Sequence, residues 1–400
     1  MSAGSPATEA PKVSPLYDPR VRGAVYQGLL AITLAYLAWG AATNAIDNMR
    51  ARNIPTSFDF WNAISGFDIN FTLIDYTALS TNGAAFWVGL LNTLLVAAIG
   101  IVFATLIGFV VGVARLSPNW IVSRLALVYV ETLRNVPLLL QLLFWYNAVL
   151  KPLPSPRDSI VIPGLFGHPL AWLNNRGLVL PEPKFGDGFW LMVAAFVVGV
   201  GLAILYWRLA RNAFLESGRR RPVGLIGLGL VFGLPVLAYF VAGRPVTFIE
   251  PTLRGFNFSG GLRLLPELVA LVLGLSLYTA SFIAEIVRAG IQSVPRGQGE
   301  AARALGLRPG AVLRLVTIPQ AMRVITPPLT NQFLNLTKNS TLAVFIGYPD
   351  LVQTFAGTVL NNTGAAVQVI AITMGVYLVI SLATSFAMGV FNARMALKER

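Results

Sequence analysis

Residues 291–320 read IQSVPRGQGEAARALGLRPGAVLRLVTIPQ. The stretch joins two apolar runs, yet it is too long and too ordered in its signals for a plain loop. Pro295 is suited to the first turn of a helix, where its missing N–H costs nothing. Glu300, Ala301, Ala302, Arg303, Ala304 and Leu305 are good helix formers. Gly306 can take the left-handed conformation that ends a helix. Pro309 opens a second short helix with Val312, Leu315 and Val316 at helical spacing, and Pro319 closes it. Two short helices on one membrane face are expected. In one reading they lie on lipid, for which Arg296, Arg303, Arg308 and Arg314 are suited. In the other they form a docking element. Ala301, Ala302 and Ala304 then allow close backbone approach, and Glu300 offers a negative charge to a basic partner.

The surrounding chain sets that stretch in a membrane protein. It has 400 residues, 55 % hydrophobic and 12 % charged, where soluble chains average about 25 % charged. Mean hydropathy is +0.67. Such a composition excludes disorder for most of the chain. There is no cysteine and one histidine, His168, in 400 residues. Disulfide frameworks, thiolate-ligated metals and multi-histidine sites are therefore excluded. A net charge of +13 on so apolar a chain points to a membrane surface and not to nucleic acid.

A crossing helix needs about 20 mostly apolar residues. Charge-free runs occur at 23–46, 76–114 (apolar heart 84–113), 188–207, 222–243, 268–284 and 351–393 (apolar heart 365–391). Two further runs are interrupted by charge: 125–150 by Glu131 and Arg134, and 324–346 by Lys338. The expected fold is all-α, integral to the membrane, with eight spans. An even number places both termini on one side. With the termini cytoplasmic, 19 of the 30 Lys and Arg residues fall on inside segments and 9 on outside ones, as the positive-inside rule requires. Arg219, Arg220 and Arg221 directly precede a span, as a cytoplasmic anchor should. Residues 1–22 read as a disordered cytoplasmic tail and 392–400 as a second tail. The segments 151–187 and 242–263 read as ordered outside loops, with His168 a surface residue.

The run 322–346 is the most polar of the eight. Asn331, Asn335 and Lys338 recur at i, i+4 and i+7, on one helix face. Thr330, Gln332, Thr337, Asn339 and Ser340 add to it. Charges in a span cost about 2.5–3.5 kcal/mol each, so they need partners or water. The groups either hydrogen-bond neighbouring helices or line a polar path. Lys338 would pair with Glu131 or meet a substrate carboxylate. Glu131 with Arg134, and Glu285 with Arg288, are spaced for i, i+3 ion pairs. Pro137, Pro327 and Pro328 should bend or interrupt helices. Gly108 and Gly112, and the row Gly224, Gly227 and Gly229, read as helix-packing positions.

The run Glu300-Ala301-Ala302, three residues, Gly306, then Ile318-Pro319 resembles the "EAA" coupling loop of bacterial ABC importer permeases. YVETLRNVPLLLQLLFWY (129–146), LYTASFIAEIVRAGIQSVPRGQGEAA (277–302) and TPPLTNQFLNLTKNSTLA (326–343) are similar to segments of the polar amino-acid uptake family. The likeness covers roughly residues 84–391. The added first span and the two spans inserted within 188–243 make the chain most similar to the larger permease subunits of general L-amino-acid ABC transporters.

That resemblance implies a type I ABC importer permease core over 84–391, with coupling loop 291–320, preceded by an extra first span and outside loop at 23–83. It implies coupling through Glu300, Ala301, Ala302 and Gly306; the polar stripe itself, in its functional reading, makes Asn331, Asn335, Lys338 and Ser340, with Glu131, the candidate substrate pathway. The implied partners are a second permease subunit, a cytoplasmic ABC ATPase dimer, a periplasmic amino-acid-binding protein, the L-amino acid and membrane lipid. The implied location is the bacterial inner membrane. ATP and Mg would be bound by the ATPase. This chain has no G-x-x-x-x-G-K-[ST] phosphate cradle and is expected to be no enzyme and to hold no cofactor. The competing class is an ion-coupled secondary amino-acid transporter. Such proteins show internal repeats and mid-span carboxylates, and neither is evident here. A membrane enzyme would need clustered His, Cys or acidic residues.

Overall fold

The computed structural model describes residues 19–51, 54–164, 168–217 and 222–395. The expected tail residues 1–18 and 396–400 and the cluster Arg219–Arg221 lie outside them. The first helix, α1 (Pro19–Ala51), starts four residues earlier than the expected boundary at 23. Pro19 is pre-organised for a first turn. Leu29, Leu30, Ile32 and Trp39 on α1 are all exposed, as on a helix whose solvent is hydrocarbon.

The chain divides into two compact units. One comprises Met1–Gly89 and Thr354–Leu378. Its core is aromatic. Trp61 and Phe86 lie 5.1 Å apart, Phe86 and Phe355 5.2 Å, and Trp61 and Phe355 5.9 Å, centroid to centroid. Asn82 Nδ2 donates to Phe60 O at 2.9 Å, and Gln368 Nε2 donates to Pro55 O at 2.8 Å.

The second unit is Leu90–Gln353 with Val379–Arg400. Most of α2 (Asn82–Ala114) belongs to it, followed by α3 (Trp120–Asn135), whose N-terminus is capped by the Asn119 side chain. α4 (Leu138–Leu143) runs into a wide π turn, Phe144–Leu150. α3 and the α4 segment are bent by 105°. Pro137 sits at the break, and its missing N–H frees the carbonyl four residues back, on Leu133. Gln141 Nε2 takes that carbonyl at 2.8 Å and the Val136 carbonyl at 2.9 Å.

The expectation of an all-α chain is corrected in the segments 151–187 and 242–263. Strands β1 (Ile160–Pro163), β2 (Pro169–Asn174), β3 (Gly177–Leu180) and β4 (Glu182–Phe185) lie before a helical hairpin. The hairpin is α5 (Phe189–Ser217) against α6 (Val223–Leu228), a π turn and α7 (Leu234–Val241). Strands β5 (Val246–Ile249), β6 (Thr252–Arg254), β7 (Asn257–Ser259) and β8 (Leu262–Leu264) follow it. β1, β2, β3 and β8 make one antiparallel sheet, and β4 pairs with β5. Short β-branched and aromatic runs between Pro and Gly turns form strands here. At three to six residues each they are too short for their alternation to stand out in the sequence.

α8 (Pro266–Gln292) is the most buried of the apolar helices. It packs on α2 through glycine: a Cβ at Gly108 would lie 2.6 Å from Ile283, and one at Gly112 2.7 Å from the Ala284 carbonyl. The packing reading of those two glycines holds. It fails for Gly224 and Gly229, which face open space, while Gly227 only grazes Ala203 at 4.0 Å. The hairpin closes instead at Gly199, against the Leu230 backbone.

Beyond α8 come α9 (Arg296–Ala304), α10 (Pro309–Val312), a π turn (Leu313–Thr317) and α11 (Ile318–Asn339). A 3-10 turn (Ser340–Ile346), a π turn (Val352–Val359), α12 (Leu360–Thr363) and α13 (Ala366–Met395) complete the order. Among the described residues six helices are long and apolar enough to cross a membrane, and a seventh if the bent α3–α4 pair is one span. α11, the expected eighth, is not among them; its polar stripe lowers its hydropathy.

Candidate functional site

The 291–320 stretch folds as two short helices. Pro295 is the N-cap residue of α9, one position before the expected one. Gly306 has φ +79°. Its N–H donates to Arg303 O at 2.8 Å, and Leu307 N–H donates to Ala302 O at 3.2 Å. This is a left-handed helix end of the expected kind. Pro319 does not close the second helix. It sits in the first turn of α11, directly after the π turn, a position that needs no N–H. Pro327 and Pro328 do not interrupt α11 either. Thr326 Oγ1 donates to Met322 O at 2.6 Å and Thr330 Oγ1 to Thr326 O at 3.1 Å, adding bonds within the same turns.

Glu300, Ala301 and Gly306 are exposed, and Ala302 is buried at 5 %. The buried methyl anchors α9, which has Val312 Cγ1 3.8 Å from where a Gly299 Cβ would be. Leu305 is 84 % exposed, an apolar knob beside the turn. The segment therefore presents one carboxylate, small side chains and one leucine outward, together with Arg296, Arg303, Arg308 and Arg314.

On α11, Asn331, Asn335 and Lys338 are exposed along one face. Ser340 is not with them. It is fully buried and its Oγ donates to Thr337 O at 2.8 Å, because it lies on the packed side with Leu336. Glu131 is exposed on α3, and among the described residues it makes an ion pair with neither Lys338 nor Arg134. Arg134 stands 5.0 Å over the Phe282 ring instead. The Glu285–Arg288 pair does form, and Arg115 joins it from the end of α2. His168 is exposed and lies 2.9 Å from Glu250. The described residues hold no His, Cys, Asp and Glu group able to bind a metal.

The sequence reading missed a buried polar lock. Asn92 and Thr93, fully buried on α2, hold the turn at 348–351. Asn92 Nδ2 donates to Pro349 O at 2.8 Å, Leu351 N–H donates to Thr93 Oγ1 at 3.0 Å, and Tyr348 Oη donates to Asn92 O at 3.3 Å. Asp350 lies in this turn at 1 % exposure. Its Oδ1 accepts from Gln353 N–H at 2.8 Å, while Oδ2 is buried without a hydrogen-bond partner. Burial pushes its carboxyl up to about 7, against the lowering effect of nearby backbone N–H groups. The signal was present: Asp350 is the sole acid between residues 301 and 398.

A putative amino-acid ABC transporter permease of Escherichia coli is 49 % identical over 383 residues, covering 96 % of this chain and 96 % of that protein. This chain belongs to the amino-acid ABC importer permeases. The family profile described as "Binding-protein-dependent transport system inner membrane component" matches residues 229–397, a range that holds the EAA segment, the α11 stripe and Asp350. A general L-amino acid transport system permease of Rhizobium johnstonii is 46 % identical, over 97 % of this chain and 95 % of that one. A glutamate/glutamine/aspartate/asparagine transport system permease of Rhodobacter capsulatus is 41 % identical, over 96 % of each. As an ABC importer permease for amino acids the chain is a multi-pass membrane protein, and its EAA motif is the one typical of the family.

Proposed function

We propose that this permease is a subunit of an ATP-driven importer of general L-amino acids in the bacterial inner membrane. A cytoplasmic ATPase dimer holds the ATP and Mg and grips the EAA segment at exposed Glu300, Ala301 and Gly306, while buried Ala302 anchors the helix from beneath. Its closure moves that segment and rocks the spans between inward and outward access. The observation that carries this reading is the full-length similarity to amino-acid permeases, joined to an EAA segment whose small and acidic residues point outward. A second permease subunit completes the translocation path, and a periplasmic binding protein delivers the amino acid.

In this reading α11 is the eighth span and both termini are cytoplasmic. The transport core is 84–391, with residues 23–83 and the hairpin within 188–243 added to it. Asn331, Asn335 and Lys338 line the path with Glu131, and Ser340 supports the helix from behind. Amides and one ammonium group can hold the α-amino and α-carboxyl groups shared by all L-amino acids with little regard to side chain. That fits the breadth of substrates in the names of the Rhizobium and Rhodobacter relatives.

The test is uptake by proteoliposomes holding this chain with its co-purifying permease and ATPase, supplied with the binding protein and a panel of L-amino acids. Uptake of acidic, amide and neutral amino acids is expected. Uptake of a single amino acid would refute the broad specificity. Lys338→Ala should raise KM for all substrates alike, and unchanged kinetics would remove Lys338 from the path.

A further inference from the structure

One cavity lies apart from the transport path. It has a volume of about 700 Å³ and is lined by Trp207, Ala210, Arg211, Phe214, Pro222 and Arg314, with Val223 and Gly224. It joins the turn end of the α5–α6 hairpin to the π turn that leads into α11. Among the described residues, two guanidinium groups line it. Among the described residues neither Arg211 nor Arg314 pairs with a carboxylate. Arg211 stands 5.7 Å from the Trp207 ring centroid, which aims its charge along an aromatic face.

The other described lining residues are apolar. Trp207 and Phe214 are 49 % and 41 % exposed, as in the aromatic belts found at membrane interfaces. Gly224 and Gly229 face open space. Leu225 and Leu228, three residues apart on α6, are exposed on one face and supply apolar surface beside the cavity. Two guanidiniums without a carboxylate partner among the described residues, beside an apolar helix face, suit an amphipathic anion. Arginine is matched to phosphate by its planar fork of donors, and basic pockets at the cytoplasmic ends of spans take acidic lipid headgroups. Arg208, on the same helix, is exposed but does not line the cavity.

We propose that this cavity binds the phosphodiester headgroup of an acidic phospholipid, with Arg211 and Arg314 on the phosphate and an acyl chain along the exposed Leu225 and Leu228 face of α6. The lipid then ties the inserted hairpin to the segment that follows the EAA motif. Two charges drawn to one phosphate hold α5 and the 313–317 turn together, where like charge alone would push them apart.

The experiment uses the full chain with its co-assembling subunits. The complex is exchanged into phosphatidylcholine nanodiscs containing phosphatidylglycerol, and retained lipid is counted by native mass spectrometry. The parent chain and Arg208→Gln should retain phosphatidylglycerol. The double variant Arg211→Gln/Arg314→Gln should lose it by about tenfold, while Arg211→Lys/Arg314→Lys keeps part of it. Millimolar inorganic phosphate should not displace it. Equal retention by the Gln variant, or displacement by free phosphate, overturns the proposal. A second readout needs no variant: photo-crosslinking phosphatidylglycerol should label the peptide holding residues 207–224 well above phosphatidylcholine, and equal labelling would refute the site. Lipid retention is read without transport, so it stands or falls separately from the import reading.

Discussion

The Glu285 carboxylate on α8 is shared between Arg288, three residues further along the same helix, and Arg115 at the end of α2. The three side chains are 12–29 % exposed, so the cluster is only partly screened by water. Arg288 also donates to Gln292 Oε1 at 2.6 Å. One carboxylate thus fixes two spans just before the chain enters α9. Glu285→Gln leaves two guanidiniums beside a neutral amide and should destabilise the protein by about 1–3 kcal/mol. Thermal unfolding of the purified complex checks this. A Glu285→Gln/Arg115→Gln pair should lose less than the sum of its singles.

Gln141 completes the break at Pro137. Its amide takes two carbonyls, Leu133 O and Val136 O, of which the proline itself frees the first. Gln141→Leu keeps the volume and removes the donors. It should cost about 1–3 kcal/mol, the penalty for buried polar groups left unmade. An unchanged melting temperature would show that water or lipid already serves those carbonyls.

Asp350 predicts a pH dependence. Burial raises its carboxyl from 3.8 to about 7. The folded chain therefore binds more protons than the unfolded chain between those values. Its stabilising contribution is fully present below about pH 4 and is lost as pH rises through 7. Asp350→Asn holds the neutral shape and should flatten that slope, measured by melting temperature across the range. An identical slope in the variant would assign the titration to another group.

Topology can be tested on a chain that has no cysteine of its own. Gln298 on α9 and Phe256 in the β6–β7 turn are both exposed. Gln298→Cys should react with an impermeant maleimide only from the cytoplasmic side, and Phe256→Cys only from the other. Labelling of both from one side would remove a span from the eight.

The α9 segment was legible because its signals are local: glycine at the left-handed turn and good helix formers before it. The aromatic core of Trp61, Phe86 and Phe355 was not, since it joins residues nearly 300 apart in sequence. Pro137 did announce a break, whereas α11 continues helical through Pro327 and Pro328. Asn92 and Thr93 were hidden inside the most apolar run of the chain. Their partners lie in the 348–351 turn, and only the fold brings the two together. Ser340 was read with the α11 stripe by proximity, although its helical position turns it inward.

The central claim is that ATP drives transport through the Gly306 turn. Gly306 has φ +79° with open space around it, so Gly306→Val strains the turn without a clash. Proteoliposomes loaded with ATP, with the binding protein outside, would be assayed for uptake and hydrolysis in parallel. The parent chain should accumulate amino acid only with ATP, and Gly306→Val, normally inserted, should lose uptake while the ATPase still turns over. Uptake that follows an ion gradient without ATP, or parental uptake by the variant, would contradict it.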